Sequence, residues 1–119
     1  MKRFAIGIAG SAMLLLLSPG FARAQNATFN GEIMDSQCAK TGSHQEMMTK
    51  HAIKTEKACT LGCVKNGGKF VLYDPDSKMT YQLDDQKKPM QFAGEKVKVT
   101  GKYDSSTETI HVTDIQSAS

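Results

Sequence analysis

The strongest constraint on this chain is a two-residue alternation that recurs in short runs. In Lys96-Val-Lys-Val-Thr100 the valines face one way and the lysines the other, and Thr109 to Thr113 repeats the pattern with Ile110 and Val112 inward. Side chains of an extended strand point alternately to its two faces, so each run reads as a strand with one buried and one wet face. Thr28 to Met34 alternates in the same way, with Phe29, Gly31 and Ile33 opposite Asn30 and Glu32. Lys69 to Tyr73 and Met79 to Leu83 supply two more strands. Between them Asp74-Pro-Asp-Ser-Lys78 is a turn, with Pro fixing φ and Asp bonding locally. Gly101 marks a bulge or bend, and Asp104 to Glu108 a turn. A short segment around Met90-Gln-Phe-Ala93 lies in the polar stretch before the fourth strand.

The first and second strands are separated by a different kind of sequence. Asp35-Ser-Gln-Cys38 leads into a Gly-containing loop. Ser43-His-Gln-Glu46 has the form of a capping box, in which a Ser oxygen and a Glu carboxylate satisfy the first backbone donors of a helix. Helix formers continue through Ala58, and Gly67-Gly68 ends the region. The predicted class is therefore mainly β: a small, five-stranded, OB-like, partly open barrel with a helical insertion between strands 1 and 2.

The N-terminus has the three-part form of a signal peptide. Lys2 and Arg3 precede the apolar run Phe4 to Leu17, Ser18-Pro-Gly20 breaks it, and Ala22-Arg-Ala24 offers the small residues of a cleavage site. The apolar run is shorter than the roughly 20 residues needed to span a bilayer. The expected organisation is a signal peptide over residues 1–24 and one domain over 25–119, in the periplasm or secreted, with no stable membrane insertion after cleavage. Of the 15 basic residues three lie in the leader, which leaves the domain balanced against its 12 acids. No basic patch argues for nucleic acid as a partner; the partners expected are a metal ion or another protein.

Cys38, Cys59 and Cys63 all lie in the domain, and an odd number cannot pair completely within one molecule. His44, Met47, Met48 and His51 stand at i, i+3, i+4 and i+7, one stripe of a helix. An unbroken helix brings Cys59 to roughly the same side. A break near Lys54–Lys57 instead turns Ile53, Leu61 and Val64 inward and moves the cysteines. Imidazole with soft sulfur suits Cu(I), and imidazole with thiolate suits zinc. The candidate metal ligands are Cys38, Cys59 and Cys63, then His44, Met47, Met48 and His51. The competing reading has the methionines as packing and a disulfide from Cys38 to Cys59 or Cys63. Cys59 and Cys63 make a strained pair for an intrahelical disulfide and an easier pair for a shared metal. His111, between Ile110 and Val112, reads as a surface residue.

Gly31-x-x-x-Asp35-x-x-Cys38, a His soon after, Cys59-x-x-x-Cys63, Gly67-Gly68 and Ala93-Gly-x-Lys-Val-x-Val-Thr-Gly101 together resemble a family of small exported bacterial domains of unknown function. The resemblance implies an exported OB-like domain and carries over no catalytic residue. Gly-x-Ser-x-Gly, His-Glu-x-x-His and Cys-x-x-Cys-His are all absent, which argues against several hydrolase and haem classes. The function expected is an exported binding domain, not an enzyme, holding copper or zinc through the insertion. The alternatives are a disulfide-stapled interaction module without metal and a thiol-dependent enzyme.

Overall fold

The computed structural model describes residues 26–118. The expected signal peptide, residues 1–24, lies outside the described residues. The elements run β1 (Ala27–Asp35), α1 (Ser36–Thr41), α2 (Gln45–Lys50), α3 (Glu56–Lys65), β2 (Phe70–Asp74) and β3 (Met79–Leu83). A short 3-10 helix (Lys88–Phe92), β4 (Lys96–Asp104) and β5 (Thr109–Ser117) complete the chain. The strands form a closed ring in the order β1-β2-β3-β5-β4, with β4 returning to β1. Only β3 and β5 pair in parallel, through Gln82↔Thr109 and Leu83↔Ile110; the other pairs are antiparallel. This is the expected mainly β architecture, with the helical insertion after the first strand.

The alternation sorts the residues as strand geometry requires. Val97, Val99 and Ile110 are wholly buried inside the ring with Ile33, Phe70 and Leu72, while Lys98 and His111 face out. The register of β4 against β5 slips between Thr100 and Gly101, the position read as a bulge. A side chain at Gly101 would run into the carbonyl oxygen of His111. At the start of β2, Gln86 receives the Phe70 amide on its Oε1 and donates through Nε2 to the carbonyls of Phe70 and Leu83.

The insertion is tied shut at its base. The Ser36 amide donates to the carbonyl of Lys69 at 2.9 Å, and the Lys69 amide donates to Ser36 Oγ at 3.2 Å. Gly94 makes another close contact between insertion and ring. Its φ is +76°, and a Cβ there would sit 2.6 Å from the backbone nitrogen of Lys57 at the start of α3. Gly94→Ala should therefore destabilise the domain by about 1–3 kcal/mol, read as a lower urea midpoint. Gly62→Ala is the control: nothing lies within 4 Å of its added Cβ, and replacing a helical Gly should be neutral or stabilise by up to about 1 kcal/mol.

Candidate metal centre

The outer faces of β1 and β2 are covered by the insertion, which makes a second, smaller core. Met34 and Val71 point away from the ring interior and pack with Cys38, Ala39 and Cys59, flanked by Met47, Met48, Ile53, Cys63 and Tyr73. Each chemically active side chain arrives there by a local device. Asp35, the last residue of β1, caps α1: its Oδ2 accepts from the amides of Gln37 at 3.0 Å and Cys38 at 3.1 Å. That places Cys38 in the first turn, buried. Thr55 caps α3 by accepting the Ala58 amide at 3.1 Å, and Cys59 follows in the first turn with Cys63 one turn later. The helix then closes on Gly67, at φ +106°, with the Gly68 amide donating to the Cys63 carbonyl and that of Gly67 to Val64. His44 sits just before α2 with its ring buried, and its Nε2 lies 2.9 Å from Glu32 Oε1.

Cys38 is the hub of the arrangement. Its sulfur, the Cys59 sulfur and a ring nitrogen of His44 all lie within 4.8 Å of one another. The sulfurs of Cys38 and Cys63 and a carboxylate oxygen of Asp35 do the same. All three cysteines are unbonded. Two buried polar atoms here lack a hydrogen-bond partner: Nδ1 of His44 and Oδ1 of Asp35. Such groups each cost about 1–3 kcal/mol when left unsatisfied, so they call for an explanation. Glu32 and Glu56 form an outer carboxylate pair around His44.

The electrostatics follow from this crowding. Burial first, then the Asp35 carboxylate and the Cys59 thiol, raise the Cys38 thiol far above its ordinary value. The Cys63 thiol is pushed up to about 11, mainly by burial and then by Asp35. The hydrogen bond to Glu32 raises His44 against an opposing effect of burial. Burial and the neighbouring Glu32 raise Glu56.

Of the residues singled out in the sequence, the structure brings Cys38, Cys59, Cys63 and His44 together, with Met47 and Met48 packed beside them and His51 at the edge of a neighbouring pocket. The stripe His44, Met47, Met48 and His51 spans α2 and its two caps, with the Met48 amide donating to the His44 carbonyl and the His51 amide to that of Met47, and what is lost is its continuation to Cys59. α2 ends at Lys50, and Ala52, in the left-handed region at φ 52°, turns the chain before α3. The break covers residues 51–55 and overlaps the expected position near Lys54–Lys57. As expected of a break, Ile53 joins the small core, and Leu61 and Val64 pack against the ring core. Met47 and Met48 are half-buried in the small core, and His51 is exposed. The capping box is also replaced: Ser43 Oγ accepts from Gln45, only two residues on. His111 is exposed and bonded to Asp84 at 3.1 Å. Glu32 and Asp35 were not among the candidates. Asp35-x-x-Cys38 carries a helix-capping signal that could have found one of them; Glu32, on the outward face of β1, has no local signature.

Fold and cluster together describe a small mixed β-ring whose insertion holds thiol, imidazole and carboxylate groups around one sulfur. A family model described as a protein of unknown function (DUF5818) matches residues 62–118, from within α3 through β5. That stretch includes Cys63 and leaves Cys38, His44 and Cys59 outside. No curated protein and no solved structure matches the chain. No helix among the described residues is long and apolar enough to cross a membrane.

Proposed function

We propose that the protein is an exported binding domain for a soft transition metal, Cu(I) or zinc, held by the thiolates of Cys38, Cys59 and Cys63 and by Nδ1 of His44. The observation that carries the reading is the orphaned, buried Nδ1 of His44, on a ring whose other nitrogen is fixed by Glu32. A metal-binding imidazole is characteristically held this way, with a carboxylate on the far nitrogen setting the tautomer and ring orientation. Three thiolates and an imidazole suit both metals. Cys63, the half-buried member, joins the set through Cys38, whose sulfur lies within 4.8 Å of its own. Asp35 adds negative charge beside the sulfurs, which favours a cation there. Export is supported by the form of residues 1–24.

Reduced protein should take up one Cu(I) or one zinc ion per chain in competition with a chromophoric chelator. Because the thiols must shed protons, affinity should rise with pH. Free metal at 100 times Kd should stabilise the fold by about 2.7 kcal/mol, seen as a higher thermal midpoint. Glu32→Gln should weaken binding by about 10–100-fold while the apo protein stays folded. Freshly isolated protein with a disulfide among the three cysteines, and no uptake after reduction, would leave the stapled-module reading in its place.

A further inference from the structure

The four proposed ligands are unequally accessible. Cys38, Cys59 and His44 are 2%, 0% and 4% exposed, whereas Cys63 is half-buried and opens onto a pocket of about 270 Å³. Met47, His51, Ile53, Gly62, Cys63 and Asn66 line that pocket. Apart from the Asn66 amide, its donors are soft or borderline: a thioether, an imidazole and a thiol, with no carboxylate to attract a hard cation. Met47 also packs against the small core that holds Cys38 and Cys59, so it spans from the mouth to the centre. Gly62 keeps the mouth wide. It sits inside α3, where Gly is unfavourable by about 1 kcal/mol relative to Ala, and the space its Cβ would take is empty.

Resting on the metal reading above, we propose that this pocket is the loading port of the centre, and that Met47 and His51 capture Cu(I) there before Cys63 draws it in. The thioether and the imidazole displace the ligands of the incoming complex. When the Cys63 sulfur takes the ion its proton goes to solvent, and no electron is transferred. Zinc has little use for a thioether ligand, so the port selects for Cu(I) over zinc by rate.

The test measures stopped-flow transfer to reduced full-length protein from a Cu(I)–chelator complex, alongside equilibrium competition. Met47→Leu combined with His51→Ala should slow Cu(I) loading by roughly 5-fold or more, a larger factor than any loss in affinity, and zinc loading by less, while Met47→Leu alone should slow Cu(I) and leave zinc loading unchanged. Gly62→Leu, which narrows the mouth, should slow both metals. Met48→Leu is the packing control: Met48 shares the small core but does not line the pocket, and its loading rate should match wild type. Unchanged Cu(I) rates in the double variant would overturn the port while leaving the centre intact. A double variant that loses affinity as far as Cys63→Ser would also overturn it, by making Met47 or His51 a resident ligand. Wild-type protein that takes up neither metal would overturn both readings.

Discussion

Cys38→Ser should lower metal affinity by more than about 100-fold, beyond what loss of a residue that only orients a ligand produces. Cys38 is the sulfur common to both ligand groups: it lies beside Cys59 and His44 on one side and beside Cys63 and Asp35 on the other. Its removal takes the shared vertex out of the site. Serine is nearly isosteric and leaves the Asp35 cap on α1 in place, so the apo protein should remain folded. Buried hydroxyl without a good partner costs about 1–3 kcal/mol, which sets the stability change to expect. Cys63→Ser should be less severe, because Cys63 stands at the open edge. Chelator competition on the two variants ranks them. Equal affinity in Cys38→Ser and wild type would sink the cluster as a metal centre.

Val97→Asp should be close to unfolding. Val97 is wholly buried in the ring, opposite Gly31 of β1 and Ser117 of β5. The substitution loses the packing of a buried Val and places a carboxylate where no partner waits, together about 4 kcal/mol or more. A domain of this size has total stability of about 5–15 kcal/mol, so most of it disappears. Lys98→Asp, one residue on, faces solvent between Asn30 and Gln116 and should stay within about 0.5 kcal/mol of wild type. Urea midpoints of the two variants decide the register directly. If the Lys98 change proved as damaging as the Val97 change, the inward face would be assigned to the wrong residues.

The contrast between ring and insertion shows what kind of information each carries. Met79–Leu83 falls where the alternation put it, and Gly101 takes the register slip expected of it. β4 and β5 run several residues beyond the alternating cores, to Asp104 and Ser117, because pairing with each other supplies hydrogen bonds where hydrophobic periodicity has faded. In the insertion, helix formers run from Ser43 to Ala58, and the sequence left open whether they form one helix or break near Lys54–Lys57. The chain breaks between Lys50 and Glu56, since burying Ile53 beside Met34 and Val71 is worth more than a few additional helical hydrogen bonds.

By itself the sequence determined the strands, their inward faces, the position of the insertion and a set of seven candidate ligands that contains the four worth testing. These are local properties: side-chain period, turn chemistry and the presence of sulfur and imidazole. Only the tertiary structure decided which of seven candidates meet. His44 joins the sulfurs because Glu32, twelve residues away on β1, holds its ring, and Asp35 joins because a strand end and a helix start coincide there. Met47 and His51, on α2 and its C-cap, line the pocket mouth, while His44 at the other end of that helix reaches the sulfurs. Such convergence depends on how the helices pack over β1 and β2, and no spacing along the chain encodes a distance across that interface.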